Sequence, residues 1–341
     1  MKIHTFAVGL LTAAIAGQVL PGRVWGVDVA GEVNSAITYR QAFDAAKQNG
    51  AGKSPVMSEN VRTAALDENV KGLLAANQNV IGLVKQAGSE AGCDWGALPA
   101  DMQGVLDTLN VARTIDHLLT LQSRMDLQDK KPDAAVEDWM ASVALARRIG
   151  EIKLTVASLV QDAVEMGTID RIAAELPGLP MATRTKLMAE WMKLPAGADG
   201  SQIIMGEYAY AQKAIVQQKG PKDWIDVLEP FYKAIAAASG DAPEQFGKVV
   251  DEQMAKFKLN PFAQTIGPSM KLTREPMAAL EAKREMLETA MSVVQIGKEE
   301  VAKSKDPFGA GPFEYMDVKG GFELKSALNV KGKSVSLHVG K

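Results

Sequence analysis

The stretch that decides the fold is DMQGVLDTLNVARTIDHLLTLQSRMDLQDKKPDAAVEDWMASVALARRIG, residues 101–150. Asp101 is a side-chain acceptor placed just before an apolar-periodic run, as a helix N-cap requires. Val111, Ile115, Leu118 and Met125 follow at spacings of 4, 3 and 7, with Leu109, Ala112 and Leu119 alongside. That stripe predicts a long helix to about Leu127, wide enough on its apolar face to pack on two neighbours. Gln128 to Pro132 is a short connection, and Asp133 is expected to cap a second helix carrying Val136, Met140, Val143 and Ala146 with Trp139 beside them. Two helices joined so tightly predict an antiparallel hairpin.

Outward from this hairpin the same period recurs. A helix is expected from a Ser58 cap to about Gln86, followed beyond the hairpin by helices at 152–175, 182–192, 201–218, 222–239 and 242–257. Pro177-Gly178-Leu179-Pro180, Pro195 to Gly200, Gly220-Pro221 and Asn260-Pro261 punctuate them. A last long helix is expected from Thr273 to Lys303, with the single stripe Met277, Leu280, Leu287, Met291, Val294 and Val301, which predicts a position on the outer face of the bundle. The period then changes from helical to two-residue. Glu314 to Val318, the alternation Phe322, Leu324, Ser326, Leu328 and the alternation Val335, Leu337, Val339 predict three strands, too few to stand alone and so docked on the helices. The fold class read from the sequence is all-α, an irregular stack of antiparallel helical hairpins or a bundle, with a small C-terminal β meander.

The N-terminus reads as an export leader. Lys2, the apolar run Phe6 to Ala16 and a small-residue region before Asp28 follow the order of a secretory signal over residues 1–26. Cleavage is expected after Gly26 or, alternatively, after Ala16. No cysteine follows either site to take a lipid anchor, and no later stretch offers the roughly 18 apolar residues of a membrane span. The chain therefore divides into a leader (1–26), a linker with a short docking helix at Tyr39–Gln48 (27–57), a helical domain (58–303) and a β tail (304–341).

Without residues 1–26 the chain has 36 basic and 41 acidic residues, a formal charge of −5. Interspersed charges with an acidic balance argue against a nucleic-acid partner, which needs a concentrated positive field. Cys93 is the one cysteine; with no second thiol and no CxxC or histidine neighbour, it reads as a buried structural thiol.

Three resemblances add to this. Ala135, Trp139 and Ser142 fall at the small, aromatic and small spacing of the second helix of a tetratricopeptide unit, and the chain as a whole is similar to exported, all-helical bacterial proteins closed by an Asp-Pro-Phe tail. Neither implies a particular activity. Asp306-Pro307-Phe308-Gly309, Pro312-Phe313 with Tyr315, then Phe322, Leu324 and Ser326 resemble the C-terminal segment of type II secretion pseudopilins. That resemblance implies a turn feeding paired strands, and it carries neither the family's calcium site nor pilus assembly, because residues 327–333 hold no acid and the N-terminus does not read as a prepilin leader with a Gly-Phe cleavage site and a long hydrophobic helix.

Reactive chemistry is sparse. Beyond the leader only His117 and His338 are histidines; His117 is expected to be a groove or core residue and His338 a solvated one. The sequence has no HExxH, no Walker loop and no GxGxxG, so no catalytic residue, metal ligand or cofactor is assigned. Asp162 with Glu165 reads as a solvated helix face. Tyr208, Tyr210, Trp224, Phe231 and Tyr232 fall on two consecutive helices and are the candidate wall of a groove for a ligand or partner. The leading expectation is a non-catalytic interaction or scaffold protein of the bacterial cell envelope with a protein partner. The alternatives are a carrier of an apolar or peptide-like ligand in an interhelical pocket, and a hydrolase working through carboxylates.

Overall fold

The computed structural model describes residues 34–58, 60–99, 101–217 and 222–341. The expected leader, 1–26, lies outside the described residues. The chain is all-α with a small C-terminal antiparallel sheet.

The linker's docking helix is longer and more deeply seated than its sequence suggested. Helix α1 (Ser35–Gln48) starts at Asn34, whose side chain accepts the Ala36 N–H at 3.1 Å, and it buries Ala36, Tyr39 and Ala42 completely. The single helix expected from Ser58 to Gln86 is instead a 3-10 turn at Pro55–Ser58, an irregular segment, α2 (Glu68–Ala76) and α3 (Gln78–Ser89). Asp67 restarts the helix by accepting the N–H groups of Asn69 and Val70 at 3.0 and 3.1 Å. Asn77 breaks it, since its buried amide donates to the Leu73 carbonyl at 2.9 Å and stands in for a helical hydrogen bond.

The hairpin forms as read. In α4 (Met102–Gln128) Asp101 accepts the Gly104 N–H at 2.8 Å, and Lys130 at φ 61° turns the chain into α5 (Pro132–Gly150). Asp133 is not the cap of α5. Pro132 occupies the first helical position, where its missing N–H costs nothing, and the Asp133 carboxylate accepts the Thr183 hydroxyl instead. Helix α5 is the axis of the molecule. Val136, Trp139 and Val143 face one core, shared with α6 (Thr155–Glu175), α7 (Met181–Trp191) and the sheet, while Ala141, Leu145 and Ile149 face a second, shared with α1, α3 and α4. A third core lies among α8 (Gly200–Gln217), α9 (Lys222–Ala237), α10 (Pro243–Lys256) and the first turns of α11 (Pro261–Gln295).

Helix α11 (Pro261–Gln295) departs most from expectation. It begins twelve residues earlier than read, which takes it through Pro268 as well as the Pro276 inside the expected span, and it stops at Gln295, short of Gly297, where φ is 145°. Each internal proline removes one ladder hydrogen bond, at a cost of about 3 kcal/mol. The helix survives because it is buried on both sides of them, through Ala263 and Met270 in the third core and Ala282, Met286, Leu287 and Ala290 in the first. It is therefore central, not on the outer face. The stripe looked narrow because Ala278, Ala282 and Ala290 register weakly as apolar, yet small residues let α6 and the sheet approach closely.

The sheet runs β1 (Glu314–Val318), β2 (Gly321–Val330) and β3 (Lys333–Gly340) in order. Lys331 and Gly332 both take positive φ, as a two-residue hairpin turn demands. Phe322, Leu324, Val335, Leu337 and Val339 point inward onto α6 and α11, and burying two such leucines is worth about 1.5–3 kcal/mol each. The pairing shifts between Lys325 and Asn329, and Asp306 pins this bulge. Its carboxylate accepts from the Ser326 hydroxyl at 2.7 Å, the Ala327 N–H at 2.6 Å and the Phe308 N–H at 3.0 Å. The Asp-Pro-Phe-Gly turn thus clamps the strand it precedes.

Candidate binding cleft

Of the five aromatic residues singled out by sequence, the four whose side chains are described do not share a surface. Tyr208, Phe231 and Tyr232 are buried in the third core, with the Tyr208 and Tyr232 rings 5.4 Å apart and Phe231 edge-on to Phe257 at 5.9 Å. The Trp224 side chain lies outside the described residues. Tyr210 is two residues beyond Tyr208, about 200° around the helix, and it alone of the four described reaches an opening.

That opening is a cleft of about 520 Å³ with three walls. The first is the α3–α4 connection, including Cys93, Asp94 and Trp95. Trp95 anchors it: the ring is buried against Tyr39 and Phe43, both at 6.0 Å, and its indole N–H donates to the Arg148 carbonyl at 2.7 Å. Asn34 fixes the backbone of Asp94 from both sides, at 2.8 and 2.9 Å. The second wall is the α5–α6 turn, Glu151 to Lys153, where Lys153 has φ 59°. The third is the face of α8 carrying Gly206, Tyr210 and Lys213.

Two adjacent residues set α8 at this distance. A Cβ on Gly206 would collide with the Lys153 carbonyl, so the helix and the turn meet backbone to backbone. Glu207 then supplies the cap that Leu154 cannot, its Oε1 accepting the Thr155 N–H at 2.7 Å at the positive end of α6. Burial raises the Glu207 pKa, and the hydrogen bonds from Thr155 oppose that rise. Sequence periodicity missed this contact because it joins residues 52 apart.

The cleft lining carries one thiol and charges of both signs. Burial pushes the Cys93 thiol up to about 11, with the Glu151 charge adding and Ser35 and Arg148 opposing, so the thiol is protonated at neutral pH and a poor nucleophile. Burial also raises Glu151, against the pull of Arg148, which pairs with it at 3.0 Å. Arg148 further donates to the carbonyls of Glu90 and Ala91, tying the first wall to the second. Asp94 and Glu151 offer negative charge at the lining, and the exposed Lys153 and Lys213 offer positive charge.

No family model, curated protein or solved structure matches this chain significantly. The site is read on its geometry alone.

Asp162 and Glu165 are not a solvated face. Glu165 is fully buried, and Arg147 and Arg284 grip it with four hydrogen bonds of 2.6–2.9 Å. Burial alone would raise its pKa, but the hydrogen bonds and charge of Arg284, then those of Arg147, hold it below the usual value. Asp162, buried nearby with Oδ2 unpartnered, is pushed up to about 8, mainly by burial, with Arg284 opposing and Glu165 and Glu281 adding. Acids three residues apart look solvated until their arginines, 18 and 119 residues away, are known. Neither acid lines the cleft. His117 is half-buried on α4, and burial lowers its pKa first. His338 is exposed on β3, as read. Among the described residues no group of three or more His, Cys, Asp or Glu side chains could hold a metal ion, and no helix is long and apolar enough to cross a membrane.

Proposed function

We propose that this chain is a non-catalytic binding protein of the bacterial cell envelope, and that it holds a short peptide-like segment, free or belonging to a partner protein, in the cleft between α8 and the α5–α6 turn. One observation carries this reading: the cleft opens at the seam between two separate hydrophobic cores, with charges of both signs at its lining and a braced tryptophan in one wall. Seams between bodies are where ligand sites concentrate, and about 520 Å³ is within the range of small-ligand pockets. Asp94 on the first wall, with Lys153 on the second and Lys213 on the third, suits a ligand that itself carries both charges, as a peptide with free termini does. The leader-like residues 1–26 support an envelope location. The carboxylate hydrolase reading has no support from the cleft, since Glu165 is spent on two arginines and Glu151 on Arg148.

Native mass spectrometry of protein purified from its host tests the proposal. Retention of a peptide-sized mass, or of a partner whose removal follows cleft substitution, is expected. Protein that arrives bare, with no partner, would contradict it.

A further inference from the structure

A second charged feature lies away from the cleft, where α4, α6 and the turn after Asn60 meet. The charges acting on His117 are one acid, Asp116, and three arginines, Arg113, Arg171 and Arg62. Asp116 is already committed, because its Oδ1 accepts the Ser142 hydroxyl at 2.6 Å and Arg171 at 3.3 Å. Arg171 is set in place by this network, donating also to Thr168 Oγ1 at 2.6 Å, while its Nε is buried with no hydrogen-bond partner. Arg62 is exposed, and its guanidinium makes no hydrogen bond or ion pair among the described residues. It lies across Gly167 of α6. A Cβ at that position would strike the Arg62 guanidinium and stand 3.8 Å from Nη1 of Arg171, so Arg62 rests on Gly167 and the missing side chain lets the two guanidiniums come side by side. Asp170 also acts on Arg171 but is paired with Lys283, and like charges gathered around acids that are already engaged are held at a cost that a bound anion would relieve.

We propose that Arg62 and Arg171, brought side by side over Gly167, form a binding site for a phosphoryl dianion. Guanidinium forks match the paired oxygens of such a group, and two of them approaching one point favour a doubly charged tetrahedral anion over a monocarboxylate. None of these residues lines the cleft, so the site is independent of the function proposed above.

His117 reports on it. Its pKa is lowered first by burial and then by the three arginines, with Asp116 opposing, so an anion seated among them should raise it. The full-length protein is titrated by NMR, following the assigned ring signals of His117 and His338, in inorganic phosphate, a phosphomonoester, acetate and chloride at matched ionic strength. Phosphate or the monoester is expected to raise the His117 pKa and leave His338 unmoved. Arg62→Ala, an exposed change that spares the fold, is expected to weaken the apparent dissociation constant about tenfold. Tighter binding of the monoester would identify an esterified ligand, and equal binding free phosphate; both uphold the site. A His117 signal that ignores both phosphates, an equal response to acetate, or unchanged phosphate binding by Arg62→Ala would overturn it.

Discussion

The interface of α5, α6 and α11 and the seam of α8 with the α5–α6 turn both place charge between helices, and they use it in opposite ways. At the first, Glu165 has no exposed surface and every oxygen is occupied by arginine, so the charges are consumed in holding three helices together. At the second, Gly206 and Glu207 fix the spacing, while Lys153, Lys213 and Asp94 remain at an open lining. The contrast separates charge that builds the fold from charge that is free to meet a ligand. It can be broken or sharpened by substitution.

The largest effect belongs to the closed interface. Glu165→Gln leaves the buried Arg147 and the half-buried Arg284 without their counter-charge and should cost about 3–5 kcal/mol, read from the urea unfolding midpoint. A loss within error of zero would dissolve the distinction.

Asp162 sharpens it through pH. Its folded pKa is raised above the unfolded value, so the protonated acid fits the fold; the stability it contributes is fully present below the unfolded value of 3.8 and is lost as pH rises toward about 8. Glu165 runs the other way, stabilising at neutral pH and losing its contribution as pH falls through its depressed folded value. Asp162→Asn should therefore flatten the decline in stability between pH 5 and 8, an effect on the order of a few kcal/mol. An unchanged slope in denaturation curves would remove Asp162 as its source.

Smaller losses are expected where a single carboxylate caps or clamps. Asp306→Ala leaves the Ser326 hydroxyl and Ala327 N–H without their acceptor and should cost about 2–3 kcal/mol. Glu207→Ala uncaps α6 and should cost about 1 kcal/mol. Thermal denaturation checks both, and a reversed ranking would contradict the hydrogen-bond count on which it rests.

What the sequence made legible follows the same division. The hairpin of residues 101–150 and the β tail were readable because their signals are local: Asp101 before a helical stripe, a positive-φ turn at Lys331-Gly332, alternation on both strands around it. The tail's docking on the helices was readable too, since three short strands need a surface to cover. The extension of α11 back through Pro268 was not, because the tertiary burial that outweighs a proline leaves no mark in a local window. The same holds for the site. Tyr208, Phe231 and Tyr232 stood out as aromatic but fill a core, whereas the residues that shape the cleft are a glycine, a buried acid and a turn lysine whose importance depends on partners far along the chain.

The measurement that bears most directly on the cleft is affinity selection from a random tetrapeptide pool, comparing wild type with Lys213→Glu. That substitution is on the surface and should change stability by no more than about 0.5 kcal/mol. The account predicts that wild type enriches peptides bearing acidic groups and that Lys213→Glu loses them by about tenfold while unfolding at the same temperature. Enrichment that is identical in the two proteins, or absent from both, would contradict it.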